Sequence, residues 1–267
     1  MFDTHCHLNF KRFKKTLGEV IVRAHEAGVS HMLIPGTDVK SSIKAVEIAQ
    51  AHEGIFAAVG IHPHHAFKIM RNEVLEIEKL LGETKVVAIG EVGMDRHTYE
   101  ETVYAEYQIS PEFITIQQKL LTLQIDLALK HDKSLILHNR EAKQDILQIL
   151  REKWDEKLEK RTVFHCCEPD PELLTFAREH KMYIGVDGDV TYDKKKREFI
   201  RDVPLEMLVI ETDSPYILPE PLLSQKAYPN EPAHVTYIAE AVSSLKKIPI
   251  TTIIDQTTEN GRILFQV

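Results

Sequence analysis

Cysteine is nearly missing from this chain: three in 267 residues, with Cys166 and Cys167 adjacent. Adjacent cysteines are poorly placed to pair, so no disulfide framework is available and reduced thiols are expected. Glycine is scarce at 11 and proline ordinary at 12, which excludes collagen-like and low-complexity classes. Long apolar runs are also absent. Stretches such as Ile55 to Ile61 fall far short of the ~20 residues that span a bilayer. The start, MFDTHCHLNF, carries acid and histidine where a signal peptide carries basic and then apolar residues. A cytoplasmic protein with no membrane contact is expected, and nothing points to an obligate protein partner. Basic excess is lacking too, with 33 Lys and Arg against 41 Asp and Glu, a net charge of −8. Nucleic acid would therefore have to be held locally, by a metal site or a basic loop.

What is present is the ordinary material of a globular enzyme, 43% hydrophobic and 28% charged. Short apolar runs alternate with longer stretches of helical period, the βαβ signature. Candidate strands are Phe2 to His7, His31 to Pro35, Phe56 to His62, Val86 to Glu91, Ser134 to His138, Thr162 to His165, Met182 to Val186 and Leu208 to Asp213. Helical stretches include Leu17 to Ala27, Ser42 to His52, Ile116 to Lys130 and Ala142 to Lys153, and the tail holds two or three more. No linker or composition shift divides the chain. The pattern predicts an α/β fold, a (β/α)8 TIM-type barrel spanning 1–267 as one domain, with a doubly wound open sheet as the structural alternative.

Ligand-type side chains fall at one end of these strands. His5 and His7 end the first, His62 the third, Glu91 the fourth, His138 the fifth, His165 the sixth and Asp213 the eighth. In a barrel, all of them sit on the C-terminal rim, where loops build the active site. Residues two apart on a strand share a face, with Cβ atoms about 6.5 Å apart, so His5 and His7 are able to bind one ion. Cys6 then points away into packing. Asp3, one step deeper on the histidines' face, is expected to hold an imidazole N–H. Glu91, between Gly90 and Gly93 at the mouth, is placed to bridge two ions. Glu211 shares the face of Asp213, leaving a structural role open for one of them. Four neutral histidines, two carboxylates and two divalent ions sum to about +2, which attracts an anion such as a phosphodiester.

The segments FDTHCHL, GIHPHH, IGEVGMD, LHNREA, FHCC and ETDSPY, in this order, resemble the TatD family of metal-dependent hydrolases. The resemblance runs from Phe2 to Phe265. It implies a TIM-type barrel with two divalent ions and hydrolysis of DNA phosphodiesters, often from the 3′ end. It implies one ion held by His5, His7, Glu91 and Asp213, and a second by Glu91, His138 and His165, with substrate contacts from His62, His64 and Arg140. On this reading Asp213 and Glu91 are catalytic, with a water activated by the ions and Asp213 handling its proton. Histidine and carboxylate suit Zn, Mn, Fe or Co, and Mg is usable. An ester or amide hydrolase, such as an aminoacyl-tRNA deacylase, is the alternative.

The sequence departs from the family pattern in three places. Arg96-His97 stand where a Tyr pair is usual, ahead of a longer stretch to about Ile114 that carries Tyr99, Tyr104 and Tyr107. FHCCEPDPE, with Glu168 and Asp170, replaces a small turn, and SQKAYPNEP lacks an Arg-Gly stretch. The basic run Lys194 to Arg197 either meets a nucleic-acid backbone or forms a solvated helix face.

Overall fold

Phe2, Leu33, Ala58, Ala88, Ile136, Val163, Tyr183 and Val209 form a buried layer with Leu264 and Phe265 from the chain end. In the computed structural model, which describes residues 1–68, 71–99 and 109–267, each of these eight comes from a different strand. The strands are β1 (Phe2–Asp3), β2 (His31–Pro35), β3 (Ile55–Val59), β4 (Val86–Asp95), β5 (Ser134–Arg140), β6 (Thr162–Phe164), β7 (Tyr183–Val186) and β8 (Leu208–Ile210). They pair in parallel in sequence order. Thr4 N–H donates to Ile210 C=O (3.1 Å) and Asp213 N–H to His5 C=O (2.9 Å), bringing the last strand onto the first. This is the expected barrel, its interior packed in layers rather than hollow.

Helices α1 (Leu17–Glu26), α2 (Val39–Ala51), α3 (Arg71–Leu80), α4 (Pro111–Lys130), α5 (Lys143–Lys153), α6 (Pro171–Glu179), α7 (Lys194–Asp202), α8 (Val235–Lys246) and α9 (Ile250–Phe265) surround the strands. Their starts carry local signals. Asp38 and Ser41 form a capping box on α2, and Ser110 and Asp170 cap α4 and α6, each followed by proline. Helix α9 carries Gly261 against the bottom layer, where a Cβ would lie 2.8 Å from the Phe2 ring. Among the described residues no helix is long and apolar enough to cross a membrane.

Several strands stop short of the expected ends. Strand β1 ends at Asp3, because the backbone alternation slips by one between Thr4 and His5. Phe2 packs in the inner layer and Thr4 reaches the buried Glu211, yet the His5 and His7 rings also converge inside. The chain beyond Asp3 is still tied on both sides, Cys6 N–H to Leu33 C=O (3.0 Å) and His7 N–H to Ser214 C=O (2.7 Å). Strand β4 runs four residues longer than expected, and its register on β5 shifts between Ile89 and Val92. That bulge turns Glu91 inward, the usual service of a bulge beside a site.

Candidate metal centre

His5, His7 and Asp213 form one group of potential metal donors, and Glu91 Oε2 lies beside both imidazoles. His5 Nε2 lies 3.2 Å from His7 Nε2, 3.4 Å from Glu91 Oε2 and 3.7 Å from Asp213 Oδ1. His7 Nε2 lies 3.6 Å from Glu91 Oε2 and 3.3 Å from Asp213 Oδ1. A tetrahedral ion with bonds of 2.0–2.1 Å needs donors about 3.3–3.4 Å apart, so these spacings fit one. The donor set, two imidazoles and two carboxylates, suits a divalent transition metal. Asp213 reaches the point from a left-handed turn (φ +48°), a conformation aspartate tolerates.

The other oxygen of Glu91 faces three more imidazoles. Oε1 lies 2.7 Å from His138 Nδ1, 3.0 Å from His165 Nε2 and 3.4 Å from His62 Nε2. His5 and His165 stack between the two groups, with ring centroids 3.8 Å apart. Burial opposes charge on His138, but bonds to Asp95 and Glu91 outweigh it and raise its pKa to about 9. His165 is likewise raised, against its burial, by Glu91 and Glu211. Burial and the neighbouring His138 push His62 down to about 3. Glu91 is buried, yet His165, His62 and His138 hold its carboxyl well below the usual range. This half is drawn together at hydrogen-bond distances rather than ion-sized ones.

A second tier of carboxylates stands behind these rings. Asp95 Oδ2 meets His138 Nε2 (3.0 Å), His64 Nε2 (2.8 Å) and the Tyr99 hydroxyl (3.0 Å). Glu211 Oε1 faces His165 Nδ1 at 3.3 Å and accepts from Cys166 N–H (2.6 Å), while Oε2 accepts from Thr4 Oγ1 (3.3 Å). Each depends on an adjacent glycine. A Cβ on Gly93 would strike His138 C=O at 1.9 Å, and one on Gly185 would strike Glu211 Oε1 at 2.4 Å. Asp95 was not singled out in sequence as an imidazole partner; its period-two relation to Gly93 and Glu91 was the available signal.

The structure therefore gathers His5, His7, Glu91, His138, His165 and Asp213, and brings His62 into the same cluster. His64 is turned to Asp95, one layer out. Arg140 is exposed, and donates to the Tyr99 hydroxyl (3.1 Å) with its guanidinium over that ring. Asp3 differs from expectation. It accepts from His5 N–H and from the Thr212 backbone and hydroxyl, and touches no imidazole, because the slip after Thr4 takes it off the histidines' face. Cys6 packs outward and donates to Leu33 C=O, as expected. In the basic run, Lys196 is buried, 2.9 Å from Cys167 C=O and 3.2 Å from Asp189, so it is unavailable to a ligand. Glu168 binds Asn139 Nδ2 (2.5 Å) and Glu141 N–H (3.0 Å), bracing the end of β5. Tyr104 and Tyr107 lie outside the described residues.

The chain is similar over its whole length to known metal-dependent hydrolases. A family described as TatD-related DNase matches residues 2–266. The Bacillus subtilis (strain 168) metal-dependent hydrolase YabD is 34% identical over 269 residues, covering 100% of this chain and 99% of its own. The Escherichia coli (strain K12) 3′-5′ ssDNA/RNA exonuclease TatD is 30% identical over 271 residues, covering 100% and 99%. Among solved structures, YJJV, a TatD homologue from Escherichia coli K12, superposes with a TM-score of 0.88 at 26% identity, covering 100% of this chain and 98% of its own.

Proposed function

The chain belongs to the TatD-related DNase family of metal-dependent hydrolases, and on that premise we propose that it hydrolyses phosphodiesters of single-stranded DNA, from the 3′ end, with two divalent ions. The carrying observation is the set of four donor atoms at ion-sized spacing around His5, His7, Glu91 Oε2 and Asp213. His5, His7, Glu91 and Asp213 would hold the first ion, and Glu91, His138 and His165 the second. Divalent ions bound there would supply charge to neutralise phosphoryl oxygens and to lower the pKa of a water. Asp213 Oδ would take the proton of such a water as its general base. His62, kept neutral, and Arg140 at the rim contact phosphoryl oxygens. His64 positions Asp95. The exonuclease name of the Escherichia coli relative supports the substrate class.

The test is to strip metal with EDTA, verify its removal by elemental analysis, and reload with Zn or Mn. Labelled single-stranded DNA should be shortened from its 3′ end only after reloading. The metal-free barrel should remain folded, since its core layers do not involve the cluster. Discharge of aminoacyl-tRNA with DNA left intact, at matched metal loading, would instead establish the ester-hydrolase reading.

A further inference from the structure

The loop between β1 and α1 is unlike the rest of the rim. It reads Phe10-Lys11-Arg12-Phe13-Lys14-Lys15, four cations in five positions of a chain whose net charge is −8. All four side chains are exposed. Among the described residues none of the four has a carboxylate within 4.0 Å. Several other cations on this face are paired with carboxylates, although Arg140 is bonded only to the Tyr99 hydroxyl. Arg96 pairs with Asp145 (2.6 Å), Lys143 with Asp170 (2.8 Å) and Lys196 with Asp189 (3.2 Å).

The loop is also held in place. Phe13 is fully buried, and Asn9 Nδ2 donates to Pro35 and Ser41 carbonyls (2.9 and 3.0 Å). Phe10 N–H donates to His7 C=O (3.1 Å), a turn that keeps the two Cα atoms within about 7 Å. The Phe10 ring stacks on the His7 imidazole at 4.4 Å, and Tyr216, 52% exposed, stands edge-on 6.2 Å from Phe10. Unpaired charge fixed beside a metal cluster and flanked by rings is what a single strand needs: cations for its backbone and π-faces for its bases.

We propose that Lys11, Arg12, Lys14 and Lys15 form a binding track for the phosphate backbone of a single-stranded nucleic acid, leading it to the centre at His7. The track supplies local attraction that an acidic protein otherwise lacks, and it engages phosphates beyond the one being cleaved. The inference rests on the phosphodiesterase reading for its direction, not for its existence.

The probe is a fluorescent dT12 whose two 3′-terminal linkages are phosphorothioates, bound to metal-loaded protein across a salt series. Each phosphate contact to a single strand contributes about 0.7 to the slope of log K against log salt. The combined substitution of Lys11, Arg12, Lys14 and Lys15 by Gln should reduce that slope by about 2 to 3, and Lys11→Gln alone by about 0.7. Turnover of bis(p-nitrophenyl) phosphate, which reaches only the metal centre, should stay within about twofold and serves as the folding control. An unchanged slope with intact turnover overturns the track. So does a loss of binding confined to phosphatidylserine vesicles, which would assign the loop to a membrane surface. Cleavage of DNA with an unchanged slope sinks the track alone; a reduced slope without any DNA cleavage sinks the phosphodiesterase reading alone.

Discussion

The two oxygens of Glu91 look onto two differently built half-sites. Around Oε2, His5 and His7 stand 3.2 Å from each other, 3.4 and 3.6 Å from the oxygen, and 3.7 and 3.3 Å from Asp213 Oδ1. Around Oε1, His138 and His165 are drawn in to 2.7 and 3.0 Å by hydrogen bonds. The far nitrogens differ as well. Among the described residues, Nδ1 of His5, of His7 and of His165 are buried without a hydrogen-bond partner, although Glu211 stands 3.3 Å from the last, whereas His138 Nε2 is bonded to Asp95. The first half-site is shaped like an ion's coordination shell and lacks outer support. The second has a carboxylate behind each imidazole and shorter spacings to the shared oxygen. One buried carboxylate therefore joins a site set by spacing to a site set by orientation, and the two should respond differently to mutation.

Glu91→Gln should have the largest effect, since it removes the charge shared by both halves: both ions should be lost, and DNA hydrolysis with them, as read by elemental analysis and turnover. Retention of one ion would show that the halves are independent. Asp213→Asn keeps an oxygen donor at the first half-site but removes the base. Turnover should fall about 10²–10⁴-fold while most metal stays bound. Near-normal turnover would pass the base to Glu211 or Glu168. The smallest effect belongs to Glu211→Gln, which removes the charge behind His165 while leaving an oxygen to accept from Cys166 N–H. The second ion should weaken about 10–100-fold in a metal titration, with the first unchanged. Equal weakening of both ions would erase the contrast between the halves.

Much of this was legible in the sequence because strand alternation is a strong geometric rule. Counting by two from the buried Ile136 and Val163 brings His138 and His165 into the barrel mouth, and from Val209 it brings in Glu211. Where the backbone departs from the ladder, the count fails. The slip after Thr4 moved Asp3 from the imidazoles to Thr212, and the bulge before Val92 turned Glu91 inward where alternation gives the position to Gly90. Such irregularities depend on close approaches across strands, as at Gly93 against His138 C=O, which no local pattern announces. The burial of Lys196 within a run of surface-type charges was hidden for a similar reason, because its partners Asp189 and Cys167 come from other loops.

The most direct test of the account is a count of metal ions per chain in parent and His138→Ala protein, prepared side by side from the same metal-loaded buffer. His138 touches only the second half-site, and His5, His7, Glu91 Oε2 and Asp213 are untouched by its loss. The account predicts two ions in the parent and one in the variant, with turnover strongly reduced. Equal counts in the two proteins would contradict it, showing that His138 is not a ligand and that Glu91 does not join two ions.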